Sequence, residues 1–180
     1  EQARRQQGII ERMLMLARVE QLQAPEEAIQ VDLGELLRRC VDERSLALQA
    51  RQLDCQLAID EPLAVRGDPF LLQQALLNLF DNAIAFSPSG ARIEIALRRH
   101  EQRAEVAVRD HGSGAPAYAL AQVFDRFYSL PSIASGRKSS GLGLALVREV
   151  ARLHAGEADF ANHSEGGALV RLRLPLLCAG

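Results

Sequence analysis

The sequence predicts a two-layer α/β sandwich, in which a mixed β-sheet carries helices on one face and a separate helix precedes it. Segments with alternating apolar residues occur in pairs, and helical segments lie between the pairs. A doubly wound parallel sheet would instead alternate strictly between strand and helix. The chain has 180 residues, of which 48% are apolar and 24% charged. These values are typical of one globular domain with at most one further element.

The composition also excludes several classes of function. The 21 Lys and Arg residues are balanced by 23 Asp and Glu, for a formal net charge of −2. A nucleic-acid partner is therefore not expected, because binding to phosphate backbones requires a basic surface. No apolar run is long enough to span a membrane. The cysteines and histidines are scattered without metal-ligand spacing, which argues against zinc or Cys/His nucleophile chemistry and favours reduced thiols in a cytosolic domain.

The first helix is predicted over residues 1–22, where Ile9, Met13 and Leu14 recur at helical spacing. A polar break with Pro25 follows, and we interpret it as a linker. The prediction is an N-terminal element over residues 1–24 and a main domain over residues 25–180. The alternative is that the first helix packs on the rest of the domain.

Strands and helices then follow in an order that supports the mixed sheet. Asp68 and Pro69 form an N-cap followed by proline at the first helical position. The predicted strands are 29–33, 53–59, 64–66, 93–97, 104–108, 157–162 and 168–174. The predicted helices after the first are 34–50, 68–86 and 141–154, with short helical turns over 116–128 and a mobile, basic, Ser/Gly-rich loop over 129–140.

Two asparagines on the helix over 68–86 are candidate ligands for a hard cation. Asn78 and Asn82 are four residues apart and therefore share one side of the helix, at the border of its apolar face. Asparagine lowers helix propensity, so its presence there calls for an explanation. Solvated or locally bonded amides are the structural alternative. The functional interpretation is that amide oxygens bind Mg²⁺, which retains water and phosphate oxygens as its other ligands.

Asp110 is a candidate for recognising a polar group on a ligand. It is in phase with Val106 and Val108, so it is expected to point to the buried side of the sheet. A buried carboxylate requires hydrogen-bond donors, and a purine amino group is one such donor. Gly112 and Gly114 would allow the backbone close to a flat ligand. The structural alternative is an aspartate that caps its own loop.

The segment over 137–144 combines basic residues with a glycine-rich helix start. Gly141 and Gly143 would leave the first N–H groups of the helix open to a phosphate, and Arg137 and Lys138 precede them. The spacing differs from the dinucleotide-binding fingerprint and from the P-loop. The aromatic segment 124–128 is expected to anchor the loop that follows.

Taken in order, these segments resemble the ATP-binding domain of sensor histidine kinases, whose fold is shared with gyrase, Hsp90 and MutL. Residues 78–83 (NLFDNA) resemble the N box, 110–114 (DHGSG) the first glycine box, 124–127 (FDRF) the F box and 141–144 (GLGL) the second glycine box. Gly166 and Gly167 resemble a weaker third glycine box. The segments 127–131 and 138–143 are further similar to the CreC subgroup of these kinases.

The resemblance implies the Bergerat-type ATP-binding fold, ATP and Mg²⁺ as cofactors, and a set of site residues. Asn82 would coordinate Mg²⁺ with help from Asn78, and Asp110 would accept a hydrogen bond from the adenine amino group. The remaining nucleotide-binding residues implied by the resemblance are Phe86, Gly112, Gly114, Arg126, Arg137, Lys138, Gly141, Leu142, Gly143 and Leu144.

The resemblance also implies partners and a cellular setting. The chain would transfer the γ-phosphoryl group of ATP to a histidine outside it, since no His-Glu-x-x-x-Pro motif occurs here. That histidine would lie in the protein's own dimerisation domain, of which residues 1–22 would be the final helix. The phosphoryl group would pass to the receiver domain of a response regulator. The full-length protein would be a homodimer anchored in the bacterial inner membrane, with this domain in the cytoplasm.

Three alternatives stay open at this point. A hydrolysing ATPase of the gyrase class would use a glutamate at the first N-box position, where this chain has Asn78. A serine kinase of the anti-sigma type would need no helix like residues 1–22. A nucleotide-independent interaction module is compatible with Ala85 and Ser139, which stand where relatives often carry a basic residue and a glycine.

Overall fold

The computed structural model describes residues 2–132 and 139–177 of the chain. Five α-helices are present in this part: α1 (Gln2–Gln21), α2 (Leu33–Glu43), α3 (Ser45–Ala50), α4 (Pro69–Phe86) and α5 (Gly143–Leu153). The strands are β1 (Ile29–Asp32), β2 (Asp54–Ile59), β3 (Ala64–Gly67), β4 (Arg92–His100), β5 (Arg103–Arg109), β6 (Glu157–Asn162) and β7 (Ala168–Pro175). A short 3₁₀ turn covers Ala117–Ala119.

The strands form a five-stranded sheet and a two-stranded sheet. In the large sheet the order is β2-β4-β5-β7-β6, and β1 pairs with β3 in the small sheet. Strand β2 is parallel to β4, whereas the other neighbours are antiparallel. The predicted mixed sheet is therefore confirmed.

One face of the large sheet is apolar and carries the helices. Alternating residues of β4, β5 and β7 are buried there, beneath α4 and α5. The opposite face carries ion pairs, such as Arg173 with Glu105 at 2.6 Å and with Asp159 at 2.8 Å. This difference between the faces follows from the period-2 alternation of each strand, and it confirms the predicted two-layer arrangement.

The predicted helix over residues 34–50 is divided at Arg44. The backbone of Arg44 leaves helical geometry, and its N–H donates to Asp42 and Val41. Its guanidinium pairs with Asp81 of α4 through Nε at 2.6 Å and Nη2 at 3.2 Å. A bidentate pair of this kind requires a specific orientation of the guanidinium. The helix is therefore interrupted at the residue that contacts α4.

The first helix packs on α5. Leu16 and Val19 are buried in the same apolar core as the sheet. The guanidinium of Arg152 in α5 donates through Nη2 to the carbonyl oxygens of Val19 and Leu22. Ile10 and Leu14 lie on the exposed side of α1. Each helix in the described part of the chain is too short or too polar to span a lipid bilayer.

The start of α4 is connected to the end of α5 by a buried histidine. Asp68 caps α4 as predicted, because its Oδ1 accepts from the N–H groups of Phe70 and Leu71. The N–H of Asp68 in turn donates to Nε2 of His154 at 3.0 Å. Since Nε2 must be unprotonated to accept this bond, the proton of the neutral ring is on Nδ1, which donates to Val150 O at 2.7 Å. Burial lowers the pKa of His154 below its ordinary value.

This arrangement predicts a loss of stability in mild acid. The folded-state pKa of His154 is lowered, so the unfolded chain takes up its proton first as the pH falls. The contribution of His154 is therefore complete above the unfolded value near 6.5 and is lost as the pH falls towards the folded pKa. The slope from this single residue is at most about 1.4 kcal/mol per pH unit. Urea unfolding at pH 8 and at pH 5.5 measures it.

The His154→Gln variant, which cannot be protonated, is expected to lose less stability than the unmodified chain between these two pH values. A His100→Gln variant is the control, because His100 is exposed at the end of β4, away from this contact, and its side chain bonds to no residue that the structure describes. An unchanged pH dependence in His154→Gln would contradict the assignment.

Candidate functional site

A cleft opens between α4, the ends of β5 and β7, and the start of α5. Its volume is about 790 Å³, including space that is open to solvent. The predicted site residues that line it are Asn82, Phe86, Asp110, Gly114, Gly141, Gly143 and Leu144. Apolar side chains, including Ala83, Val108 and Val170, form much of the remaining wall. An apolar cleft with few polar groups suits a flat, largely apolar ligand that is oriented by one or two hydrogen bonds.

Asp110 is the buried polar group of this cleft. Its Oδ1 accepts from the N–H of Gly112 at 2.9 Å and from the N–H of Ala168 at 3.0 Å. Its Oδ2 accepts no hydrogen bond from any residue that the structure describes. Burial raises the pKa of the Asp110 carboxyl, and the bonds from Ala168 and Gly112 oppose that shift. One oxygen therefore fixes the carboxylate, and the other is left to accept a bond from a ligand.

Two glycines allow the backbone to pack around Asp110. A Cβ on Gly167 would lie 1.9 Å from the carbonyl oxygen of Asp110. A Cβ on Gly112 would lie 2.3 Å from the carbonyl oxygen of Phe86, at the end of α4. Neither position has space for a side chain, so both glycines are required by close backbone contacts.

The asparagines of α4 occupy different environments. Asn82 lines the cleft, and its amide makes no hydrogen bond with any residue that the structure describes. Asn78 is buried, and its Nδ2 donates to Gln74 O at 2.7 Å. Its Oδ1 lies 3.0 Å from where a Cβ on Gly143 would be. The structure thus brings Asn82 to the cleft, whereas Asn78 packs between α4 and the start of α5.

The helix α5 begins at the cleft. Its N-cap, Leu142, is buried and makes no side-chain capping bond. Gly143 and Leu144 line the cleft directly after it. The first N–H groups of a helix have no partner within the helix and carry partial positive charge, so this end of the cleft can hold an anionic group.

Of the predicted basic residues, the structure describes Arg126. Arg126 pairs with Glu20 of α1 and does not line the cleft. Arg137 and Lys138 lie outside the described residues. Among the described residues, the start of α5 is therefore the source of positive potential at the end of the cleft where an anionic group would bind.

A second apolar cluster, which the sequence analysis did not identify, completes the wall. Ala115, Ala119 and Val123 form its buried centre. The half-buried side chains packed against it are Phe124, Tyr128, Leu130, Leu144 and Phe160. The aromatic segment 124–128 is predicted to anchor a loop. Its Phe124 and Tyr128 pack against the same cluster as Phe160 of β6, which is distant in sequence, so no local pattern indicates the cluster.

Comparison with known proteins gives consistent matches over most of the chain. Residues 67–177 match the family described as histidine kinase-, DNA gyrase B-, and HSP90-like ATPase. The chain is 44% identical to the sensor protein CreC of Escherichia coli (strain K12), covering 94% of this chain and 35% of that protein. It is 34% identical to the histidine-protein kinase AfsQ2 of Streptomyces coelicolor, covering 97% and 31%. The chain thus spans about a third of the length of these curated relatives.

Solved structures share the fold. The mycobacterial sensor histidine kinase MprB is 30% identical and superposes with a TM-score of 0.71, covering 85% of this chain and 100% of that one. Full-length ShkA in complex with AMPPNP superposes with a TM-score of 0.83 at 23% identity, covering 96% and 36%.

The contact between Gly167 and Asp110 predicts a difference between two neighbouring glycines. Gly166 and Gly167 both have positive φ, at +94° and +87°, but a Cβ on Gly166 would meet nothing within 4 Å. We expect Gly166→Ala to lower the free energy of unfolding by about 1 kcal/mol and Gly167→Ala to lower it by roughly 2 kcal/mol more, because its Cβ collides with backbone. Equilibrium urea unfolding of both variants measures the difference. Equal losses would contradict the contact.

Proposed function

The chain belongs to the histidine kinase-, DNA gyrase B-, and HSP90-like ATPase family, and on this basis we propose that it is the ATP-binding catalytic domain of a sensor histidine kinase. The domain would bind ATP and transfer its γ-phosphoryl group to a histidine outside this chain. The observation that carries the proposal is the cleft itself. A fixed, buried carboxylate lies at one end. The start of α5 and the amide of Asn82, which bonds to no described residue, lie along the cleft.

The base of ATP fits the Asp110 end of the cleft. Oδ2 of Asp110, which has no partner among the described residues, is suited to accept a hydrogen bond from the adenine amino group, because a carboxylate only accepts. The apolar wall around it suits the faces of a purine. Guanine carries a carbonyl oxygen at the corresponding position, and that oxygen would face the carboxylate without a proton between them. The arrangement therefore favours adenine over guanine.

The phosphates fit the start of α5. Gly141 and Gly143 present backbone there without side chains, and the N–H groups of the first turn favour anions. The amide oxygen of Asn82 has no partner among the described residues. It is the kind of hard oxygen ligand that Mg²⁺ prefers. When bound, Mg²⁺ would neutralise charge on the phosphates. Arg137 and Lys138 remain candidates for additional phosphate contacts.

The residues of the cleft position the phosphoryl group and do not activate water. Phosphoryl transfer depends chiefly on alignment and on stabilising charge. Asn78 occupies the N-box position at which a hydrolysing enzyme would carry a glutamate, and an amide cannot act as a general base. Its amide is also buried and bonded to Gln74. We therefore expect slow hydrolysis of ATP and efficient transfer only when a histidine supplies the nucleophile.

The partners follow from the relatives, which are sensor proteins of greater length. Residues 1–24 would be the end of the dimerisation domain that carries the acceptor histidine, and residues 25–180 the catalytic domain. Leu16 and Val19 of α1 pack into the core of the catalytic domain, while the exposed Ile10 and Leu14 offer an apolar surface to the rest of the dimerisation domain. The full-length protein would be a homodimer in the bacterial inner membrane that passes the phosphoryl group to a response regulator.

The role of Asp110 predicts a loss of adenine recognition in Asp110→Asn. The amide preserves the shape of the side chain. If its oxygen accepts from the N–H groups of Gly112 and Ala168, its NH₂ group faces the adenine amino group. In the opposite orientation, the NH₂ group faces those two N–H groups. Affinity for Mg-ADP is expected to fall by roughly 10- to 100-fold, which corresponds to the loss of one charge-assisted hydrogen bond. Titration calorimetry with Mg-ADP and Mg-GDP measures affinity and base preference. Unchanged values for both nucleotides would contradict the role of Asp110.

The role of Asn82 predicts a loss of phosphoryl transfer in Asn82→Ala. We expect phosphorylation of an added dimerisation fragment bearing the acceptor histidine to fall by at least about 100-fold, because alignment and charge neutralisation are both impaired. Transfer of ³²P from labelled ATP measures it. The control is Asn82→Asp, which retains an oxygen ligand and is expected to keep more activity than Asn82→Ala. Full transfer by Asn82→Ala would exclude the assignment.

A further inference from the structure

Asn162 contacts the cleft wall, although it belongs to none of the sequence motifs described above. It is the last residue of β6, and its side chain lies at the surface. Its Oδ1 accepts from the N–H of Ala115 at 2.8 Å, and its Nδ2 donates to the carbonyl oxygen of Ala115 at 2.7 Å. One side chain thus satisfies both backbone groups of a single residue, as a neighbouring strand would.

Apart from Asn162, one side chain of the described residues bonds the segment over 111–115 to the sheet: His111 Nε2 pairs with Glu94 of β4 at 2.7 Å, at the start of the segment. In the described part of the chain, no backbone-to-backbone hydrogen bond joins residues 111–115 to a strand. The N–H of Gly112 bonds to the carboxylate of Asp110, and Pro116 has no N–H to donate. Within the residues that the structure describes, the two bonds from Asn162 are therefore the hydrogen bonds that join this segment to the edge strand β6.

The close approach of Asn162 depends on the absence of a side chain at residue 114. Gly114 has φ +70°, and a Cβ there would lie 2.5 Å from Oδ1 of Asn162. A residue with a side chain would push the amide out of bonding distance of Ala115. The bonds from Asn162 to Ala115 therefore require glycine at residue 114.

The bonded segment forms part of the wall of the cleft. Gly114 and Ala115 both line it, and Phe160 of β6 lines it two residues before Asn162. Ala115 also belongs to the second apolar cluster, with Ala119 and Val123. A displacement of Ala115 would therefore change the wall beside Asp110.

We infer that Asn162 is a positioning residue for nucleotide recognition. Through its two bonds to Ala115 it holds the segment over 112–116 at the distance from Asp110 that a purine requires. The inference rests on the proposed function, since it assumes that the base of ATP occupies the Asp110 end of the cleft. Asn162 itself lies at the surface, so its main effect is on binding and not on global stability.

The test compares Asn162→Ala with the unmodified 180-residue chain. Affinity for Mg-ADP, measured by titration calorimetry, is expected to fall about tenfold, as the loss of two partly exposed hydrogen bonds would cause. Amide hydrogen exchange over residues 112–116 is expected to become faster, while exchange in β5 and β7 stays unchanged. A second variant, Asn162→Asp, is of equal size but would place a carboxylate oxygen against the Ala115 carbonyl, and it is expected to bind no better than Asn162→Ala.

Ser164→Ala is the matched control, because Ser164 lies in the turn after β6 and makes no hydrogen bond with any residue that the structure describes. Its affinity and exchange are expected to equal those of the unmodified chain. Faster exchange in Asn162→Ala with unchanged affinity would overturn the inference and leave Asn162 a purely structural residue. Failure of the unmodified chain to bind Mg-ADP would instead overturn the proposed function, and this inference with it.

Discussion

The arrangement of the cleft depends on a buried carboxylate held by two backbone N–H groups. Burying the charge of Asp110 is unfavourable unless donors are placed around it, and the chain supplies them from two segments, at Gly112 and at Ala168. The second donor lies in β7, far from Asp110 in sequence but adjacent to it in the sheet. Because both donors bind the same oxygen, the other oxygen keeps a fixed direction and can recognise a ligand.

The sheet and the helices that cover it place the other cleft residues near Asp110. The apolar face of the sheet is covered by α4 and α5, which bring Asn82 and Gly143 to the same cleft as Asp110. The opposite face is closed by ion pairs such as that of Arg173 with Glu105. The chemistry that we propose needs no nucleophile or general base from this chain, so the fold contributes position, charge and exclusion of water.

Much of the architecture was predictable because its signals are local. Alternation of apolar residues defined the strands, and the Asp-Pro pair at residues 68 and 69 marked the start of α4. The burial of Asp110 followed from its phase in β5. The break at Arg44 was missed, because it coincides with an ion pair to Asp81 on another helix. The pairing of Arg126 with Glu20 was missed for the same reason.

The sequence alone therefore determined the class of the fold and the order of its elements, and it offered candidate polar residues for the cleft, since each follows from spacing along one strand or helix. Only the tertiary structure decided which of these residues face the cleft. It placed Asn82 in the cleft wall and Asn78 between α4 and the start of α5. It also revealed that Asn162 bonds to Ala115. Such contacts join residues from different elements, and their distances depend on how the whole sheet and its helices pack.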